Sequence, residues 1–232
     1  MQNLVIIPTY NEKENILSLI QEIFQQVPDT HILVVDDGSP DGTGALVKGF
    51  IQTNPKVHIL ENSGKGGLGK AYLQGFGWAL EKGFETCVQM DADFSHRPKD
   101  LKKIVEALRT HPMVIGSRYV SGGGTANWSR YRKLISRFGS LYSRLILGHP
   151  VQDWTGGFNG WRTSVLKSLD LSSVRSEGYS FQIEMKYRAA QNSFMPYEVP
   201  ILFEERREGA SKMSLAIVIE AFYRVWQIRF RV

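Results

Sequence analysis

The chain has a single cysteine, Cys87, among 232 residues. An intrachain disulfide is therefore excluded, the fold must rest on a packed core, and a reducing compartment is the default expectation. Cys87 lies in an apolar run and reads as a small buried hydrophobe. No run of about 20 uncharged apolar residues occurs, which excludes a helix able to span a bilayer. The most apolar C-terminal stretch, 215–230, is interrupted by Glu220, Arg224 and Arg229. The first residues lack the positive region and cleavage site of a secretory leader, so none is expected. Helix-turn-helix, zinc-knuckle and RNA-stacking motifs are also missing, and nucleic acid is not expected as a partner. Internal repeats, low-complexity tracts and interdomain linkers are absent.

What is present is an ordinary globular composition, 42% hydrophobic and 22% charged. The length suits one domain, or one domain with a modest C-terminal extension. The net charge of +5, with an isoelectric point near 9.3, fits solubility alone, and equally nucleic acid, an anionic membrane surface or a phosphorylated substrate; composition does not choose among them. The basic residues cluster at Arg118, at Arg130, Arg132 and Lys133, and at Arg206, Arg207 and Lys212. Together they suggest a composite phosphate site in the second half.

The first half alternates between short apolar runs and helical patterns. Leu4–Ile7, Ile32–Val35, Val57–Leu60, Cys87–Met90 and Val114–Ile115 read as buried parallel strands. Helices are expected at 12–27, 43–53, 68–82 and 98–109, the first with Ile16, Leu19, Ile20, Ile23 and Phe24 on its apolar face. This is an α/β, Rossmann-like pattern, a mostly parallel sheet flanked by helices. Ligands in such sheets sit beyond the carboxyl ends of the strands, here Pro8–Glu12, Asp36–Thr43, Gly64–Gly69 and Asp91–His96. The second half is less regular. It reads as a basic loop 121–133, a helix at 134–147, a Gly-rich turn between Trp154 and Trp161, a helix near 179–190 and a strand at 197–203. The division implied is a catalytic unit over 1–213 and an amphipathic helix over 214–232.

Asp91-Ala92-Asp93 ends a strand. Two carboxylates one residue apart can meet one cation only where the chain leaves the extended form; hard oxygens of this kind suit Mg²⁺ or Mn²⁺. An acidic turn capping the next helix is the plainer alternative. Asp36 and Asp37 end another strand, where a carboxylate can accept from a ribose or base edge, while Asp41 and Thr43 read as turn and cap residues. Gly64–Lys70 lacks the Ser or Thr of a nucleotide-hydrolysing P-loop, since Ala71 follows Lys70.

PTYNE at 8–12, DDGSPDGT at 36–43, GLGKAY at 67–72, MDADFSH at 90–96, GSRY at 116–119 and REGASK at 207–212 together resemble the dolichyl-phosphate mannosyltransferases (polyprenol monophosphomannose synthases) of glycosyltransferase family 2. The resemblance implies a GT-A fold, a GDP-mannose donor, a divalent metal and a polyprenyl-phosphate acceptor, with inversion at the sugar. It assigns Pro8, Tyr10 and Glu12 to nucleotide binding and Val35 and Asp37 to the guanosine. Asp91, Ala92 and Asp93 are assigned to metal and diphosphate, Arg206 and Lys212 to the donor phosphates, and Arg118 and Arg130 to the acceptor phosphate. Asp91 can also orient the attacking group. Two departures are visible: Ser95 stands where some members place a metal-binding Gln, and Asn159 stands where an Arg is common. The transmembrane helices of many relatives are absent, as in members that work with a membrane-anchoring partner subunit. The location implied is cytoplasmic, peripheral on the cytoplasmic face of a membrane. Segment 215–230 and the 134–147 helix are each expected either to lie in an interface or to pack on the core. A UDP-sugar donor with a polyprenyl-phosphate or other acceptor is the alternative within the family.

Overall fold

The structure, a computed structural model, describes residues 2–205 and 215–232. Arg206, Arg207 and Lys212 lie outside the described residues. The five apolar runs form β1 (Asn3–Thr9), β2 (His31–Asp36), β3 (Val57–Glu61), β4 (Thr86–Gln89) and β5 (Met113–Ser117). Successive side chains point to opposite faces of a strand. Leu4 and Ile6 accordingly enter one core with Leu33, Val35 and Cys87, while Val5 and Ile7 enter a second with Ile32, Val34 and Val88. Burial on both faces is why the runs of β1, β2 and β5 are continuously apolar, whereas β3, at the sheet edge, is only part-buried and admits His58.

Helices α1 (Ile16–Gln26), α2 (Thr43–Ile51) and α4 (Pro98–Ala107) feed the second core, through Ile20, Val47 and Ile104 among others. Helix α3 (Leu68–Glu81) covers the first through Tyr72 and Phe76. Helix α1 starts at Ile16 rather than 12, because Glu12 is spent in a turn whose carbonyl accepts from the N–H groups of Asn15 and Ile16.

The second half departs further from expectation. The segment read as a Gly-rich turn contains a strand, β7 (Asn159–Arg162), which runs antiparallel between β4 and β5. The expected strand over 197–203 is two: β8 (Tyr197–Pro200) pairs parallel with β5, and β9 (Leu202–Phe203) pairs with β6 (Gly124–Thr125). Pro200, which has no N–H for a ladder, stands at the break. The main sheet is ordered β3-β2-β1-β4-β7-β5-β8.

Helix α5 (Arg130–Leu147) begins four residues before the expected position because Ser129 caps it, its hydroxyl accepting from Arg132 N–H at 3.2 Å. It ends at Gly148 in the left-handed conformation (φ 75°) that a non-glycine residue adopts only at a cost. After the short helix α6 (Thr163–Ser168), α7 (Gly178–Gln191) runs through the interior, with Phe181, Gln182, Met185, Lys186 and Tyr187 all buried. The last helix, α8 (Leu215–Arg231), has two characters. Val225 and Ile228 are buried in the first core and Phe222 rests on Tyr142, whereas Tyr223, Trp226 and Phe230 are exposed.

Candidate active site

The strand order reverses between β1 and β4, and the carboxyl ends of those strands are where a ligand crevice forms in an open α/β sheet. The segment after β1 is stitched to the segment after β2. Asn11, Glu12 and Lys13 donate their N–H groups in turn to Ser39 Oγ, Thr43 Oγ1 and Asp41 Oδ2. Asp41 also caps α2 by accepting from Thr43 N–H and Oγ1, the structural role expected of both residues.

The predicted nucleotide residues gather here in unequal condition. Tyr10 is exposed, with the Lys65 ammonium 4.3 Å from its ring centroid. Pro8 and Glu12 are half-buried beside it. Val35 is different: its side chain is fully buried in the first core, so a nucleotide could meet only its main chain. Asp37 is committed to a neighbouring loop, accepting from Gly66 N–H and Gly67 N–H at 3.0 Å each and from Asn62 Nδ2 at 2.8 Å. Its carboxylate thus shapes the Gly-rich segment. The sequence shows the carboxylate but not that three protein donors reach it first.

After β4 the chain turns sharply. Phe94 sits at φ 62°, a left-handed conformation that costs a bulky residue roughly 1–3 kcal/mol. Burial of its ring in the second core offsets that cost. The turn brings Asp91, Asp93 and Ser95 to one cavity. Asp93 Oδ1 accepts from Ser95 N–H at 3.0 Å, and Asp91 Oδ1 accepts from Tyr72 Oη at 3.0 Å. Tyr72 is fully buried, and burial, reinforced by the Asp91 charge, holds its phenol well above the usual tyrosine range; it remains a donor. His96 Nδ1 accepts the Asp91 N–H at 3.0 Å, so its proton lies on Nε2, and burial lowers its pKa below the ordinary histidine value. Ala92 between the carboxylates is buried. Tyr72 and His96 therefore hold Asp91 from side chain and main chain, a role the sequence motifs alone did not assign.

Two carboxylates and one hydroxyl converge, and Ser95 Oγ is buried without a hydrogen-bond partner. The described residues contain no group of three or more His, Cys, Asp or Glu side chains arranged for a metal ion. A donor set of this kind fits a hard divalent cation that completes its shell with water and phosphate oxygens.

The cavity has a volume of about 490 Å³ and extends from Asp91 and Asp93 past Arg118 and Arg132 to apolar walls supplied by Phe138 of α5 and by Phe222 and Val225 of α8. Two expectations change here. Arg118 is buried and its guanidinium is clamped to Asp153, with Nε to Oδ2 and Nη2 to Oδ1 both at 2.7 Å, while Nη2 also donates to Thr155. The Arg118 charge holds the Asp153 carboxyl below the usual range against the opposing effect of burial. Arg130 is exposed in the first turn of α5, and Arg132 faces the cavity in its place. Residues two apart on a helix point about 200° apart, so the earlier helix start decides which arginine turns inward. Arg132 lies over the Trp128 ring and donates to Glu205 at 3.0 Å.

The loop bearing Asp153 is held from beneath by Lys186 of α7. Its fully buried ammonium donates to the carbonyls of Asp153, Trp154 and Gly156 at 2.8, 3.1 and 2.8 Å, and burial lowers its pKa to about 8.

A mostly parallel sheet with an Asp-Ala-Asp turn at its switch point is the arrangement of GT-A type glycosyltransferases, and comparisons with known proteins bear that class out. The chain belongs to glycosyl transferase family 2, whose model matches residues 4–170. It is 47% identical over 234 residues to the polyprenol monophosphomannose synthase of Mycolicibacterium smegmatis, covering 99% of this chain and 88% of that protein. It is also 47% identical over 225 residues to the undecaprenyl-phosphate mannosyltransferase of Micrococcus luteus, covering 97% and 93%. The fold is shared with the mannosyltransferase PcManGT from Pyrobaculum calidifontis, solved with GDP-Man and Mn²⁺: TM-score 0.66, 19% identity, spanning 100% of this chain and 64% of that one. Glucosyl-3-phosphoglycerate synthase from Mycobacterium tuberculosis gives a TM-score of 0.68 at 18% identity, over 99% of this chain and 79% of that one.

Proposed function

We propose that this chain transfers mannose from GDP-mannose to a polyprenyl, dolichyl-type phosphate, inverting the sugar to give a β-linked lipid-phosphate mannose. The observation that carries the reading is the cavity: carboxylates at one end, an arginine along its wall and an apolar trough between α5 and α8 beyond. That sequence of surfaces suits an acceptor with an anionic head and a long hydrocarbon tail. The near full-length relatives named for transfer to polyprenyl lipids support it.

Asp91 and Asp93, with Ser95 beside them, would hold a Mg²⁺ or Mn²⁺ ion. When bound, such an ion supplies positive charge that stabilises a diphosphate leaving group. Pro8, Tyr10, Glu12 and the Asp37-shaped Gly-rich segment would cradle the nucleotide, and Arg206 and Lys212 remain the proposed closing pair on its phosphates. Arg132, together with Arg118 and with Arg130 at the rim, would draw in and seat the acceptor phosphate. A phosphate monoester with a second pKa of roughly 6 is already anionic at neutral pH, so its oxygen attacks without a strong general base. A bond forms between that oxygen and the anomeric carbon as the carbon–oxygen bond to the diphosphate breaks, and GDP leaves with the electron pair. A single in-line displacement inverts the centre.

No helix among the described residues is long and apolar enough to cross a membrane. Leu134, Phe138, Leu141 and Leu145 nevertheless form one exposed stripe on α5, and Tyr223, Trp226 and Phe230 are exposed on α8, which packs beside it through Phe222, with Leu145 72% and Phe230 82% exposed. Lys133, Arg137, Arg144 and Arg231 flank the stripe. Such a face suits the surface of an anionic bilayer, with α8 as a C-terminal docking helix beside the catalytic unit, on the cytoplasmic side, alone or with an anchoring partner. Thermal-shift screening of GDP- and UDP-sugars with and without Mn²⁺, followed by transfer assays with polyprenyl phosphate, tests the reading. Stabilisation by GDP-mannose with Mn²⁺ and formation of a lipid-linked mannose are expected; selective stabilisation by a UDP-sugar would overturn the donor assignment.

A further inference from the structure

Gln182, in the second turn of α7, is 2% exposed, lines the cavity, and carries an amide nitrogen with no hydrogen-bond partner. A buried amide donor left unpaired costs free energy, so its orientation needs a cause. A chain of hydrogen bonds supplies one. The indole Nε1–H of Trp161 can only donate, and it donates to Gln89 Oε1 at 2.9 Å. That bond fixes the Gln89 amide with its oxygen toward Asn159, whose Nδ2 donates to Gln89 Oε1 at 3.2 Å and to the Gly156 carbonyl at 3.2 Å. Gln182 Oε1 lies at 2.9 Å, the shortest of the three contacts among which the two Asn159 Nδ2 hydrogens are shared. Flipping Gln182 would set N–H against N–H. Its Nε2 is therefore directed away from Asn159 by a fixed order of donors and acceptors reaching back into the core.

That nitrogen lies beside Gly157. A Cβ at residue 157 would lie 3.6 Å from Gln182 Nε2, 3.9 Å from Asp91 Oδ2 and 3.5 Å from His96 Cε1. The absence of a side chain there leaves a gap with an amide donor on one side and a carboxylate acceptor on the other. A hydroxyl group matches such a gap because it accepts from the first and donates to the second. A phosphate oxygen, which only accepts, would face the Asp91 charge.

Resting on the glycosyl-transfer reading above, we infer that Gln182 is a specificity-determining residue that donates a hydrogen bond to one hydroxyl of the transferred sugar, across the gap over Gly157. Asn159, Gln89 and Trp161 are positioning residues for it. A site built to pair a substrate hydroxyl discriminates against analogues lacking it. The test is a cycle of donors and variants. Transfer to polyprenyl phosphate is measured with GDP-mannose and with its 2-, 3-, 4- and 6-deoxy forms, for wild type, Gln182→Met and Gln182→Glu. Gln182→Glu keeps an oxygen for Asn159 while removing the donor from the cavity.

In wild type, deoxygenation at one position should lower kcat/KM about tenfold, the order of one net hydrogen bond. Both variants should lose that factor with the intact sugar and lose nothing more with that one deoxy donor. Either variant matching wild type on GDP-mannose would overturn the inference. So would variants that are slower but discriminate all four deoxy donors as wild type does, the signature of a merely structural role. A wild type that forms no lipid-linked mannose would instead overturn the functional reading, a result separable from a wild type that transfers without coupling at residue 182.

Discussion

Lys186→Met removes the ammonium under the 153–157 loop, and opposing terms decide its effect. The substitution preserves volume while stripping the donor from the carbonyls of Asp153, Trp154 and Gly156. Gly156 O keeps a shared contact with Asn159 Nδ2, so the main loss falls on the Asp153 and Trp154 carbonyls at roughly 1–3 kcal/mol each. Against this stands relief from burying a charge. Depression of the lysine pKa from 10.5 to about 8 corresponds to a cost of about 3 kcal/mol at neutral pH. The Asp153 charge also loses a nearby cation, though Arg118 still pairs it. At pH 7 these terms span a gain of about 1 to a loss of about 3 kcal/mol, and the cation lost beside Asp153 moves the expectation toward the loss, set against the roughly 5–15 kcal/mol that folded domains possess. The pH dependence has a definite sign. Between the folded pKa of about 8 and the unfolded value of 10.5 the unfolded chain binds the proton and the folded chain does not, so wild-type stability rises with pH across that window. Lys186→Met lacks this rise. Urea unfolding followed by tryptophan fluorescence from pH 7 to 10.5 reads both quantities. A variant more stable than wild type by over about 1 kcal/mol at pH 7, or equal pH slopes in the two proteins, would refute the reasoning.

Asp93→Ala should abolish transfer and leave the melting temperature within a few degrees of wild type; full activity in that variant, or activity unchanged by EDTA, would exclude the metal role. Tyr72→Phe removes the donor to Asp91 Oδ1 and should lower kcat several-fold with a stability loss of about 1 kcal/mol, measured by steady-state kinetics and melting. An unchanged kcat would show that Asp91 needs no such restraint. Leu145→Ser with Phe230→Ser should weaken flotation with anionic liposomes while leaving donor binding intact, and equal flotation of variant and wild type would reject that face as the docking surface.

The first half of the fold was legible because its strands are buried on both faces, which demands unbroken apolar runs such as Leu4–Ile7 and Ile32–Val35. β7 was not, since Asn159 and Gly160 at its start carry no such pattern and its place between β4 and β5 is settled by tertiary pairing. Helix α7 is buried on nearly every side, so no amphipathic pattern marked Lys186 or Gln182 as interior groups. The positions of Asp91 and Asp93 could be read directly, because a strand-end Asp-Ala-Asp has few places to point. Asp37 and Arg118 could not be read in this way: their charges were visible, but the Gly66 and Gly67 N–H groups and the Asp153 carboxylate that engage them are brought near only by folding. Arg132 was obscured by a single error of register at Ser129.

The trough between α5 and α8 bears on kinetics as well as binding. If its outer rim rests on a bilayer, the acceptor can pass sideways from the lipid phase into the cavity without crossing water. The relevant concentration is then molecules per unit of membrane area. Diluting polyprenyl phosphate with inert phospholipid at constant bulk amount should slow turnover, whereas diluting the whole vesicle suspension should matter only until the enzyme detaches. An acceptor taken from water would respond to the second dilution and ignore the first.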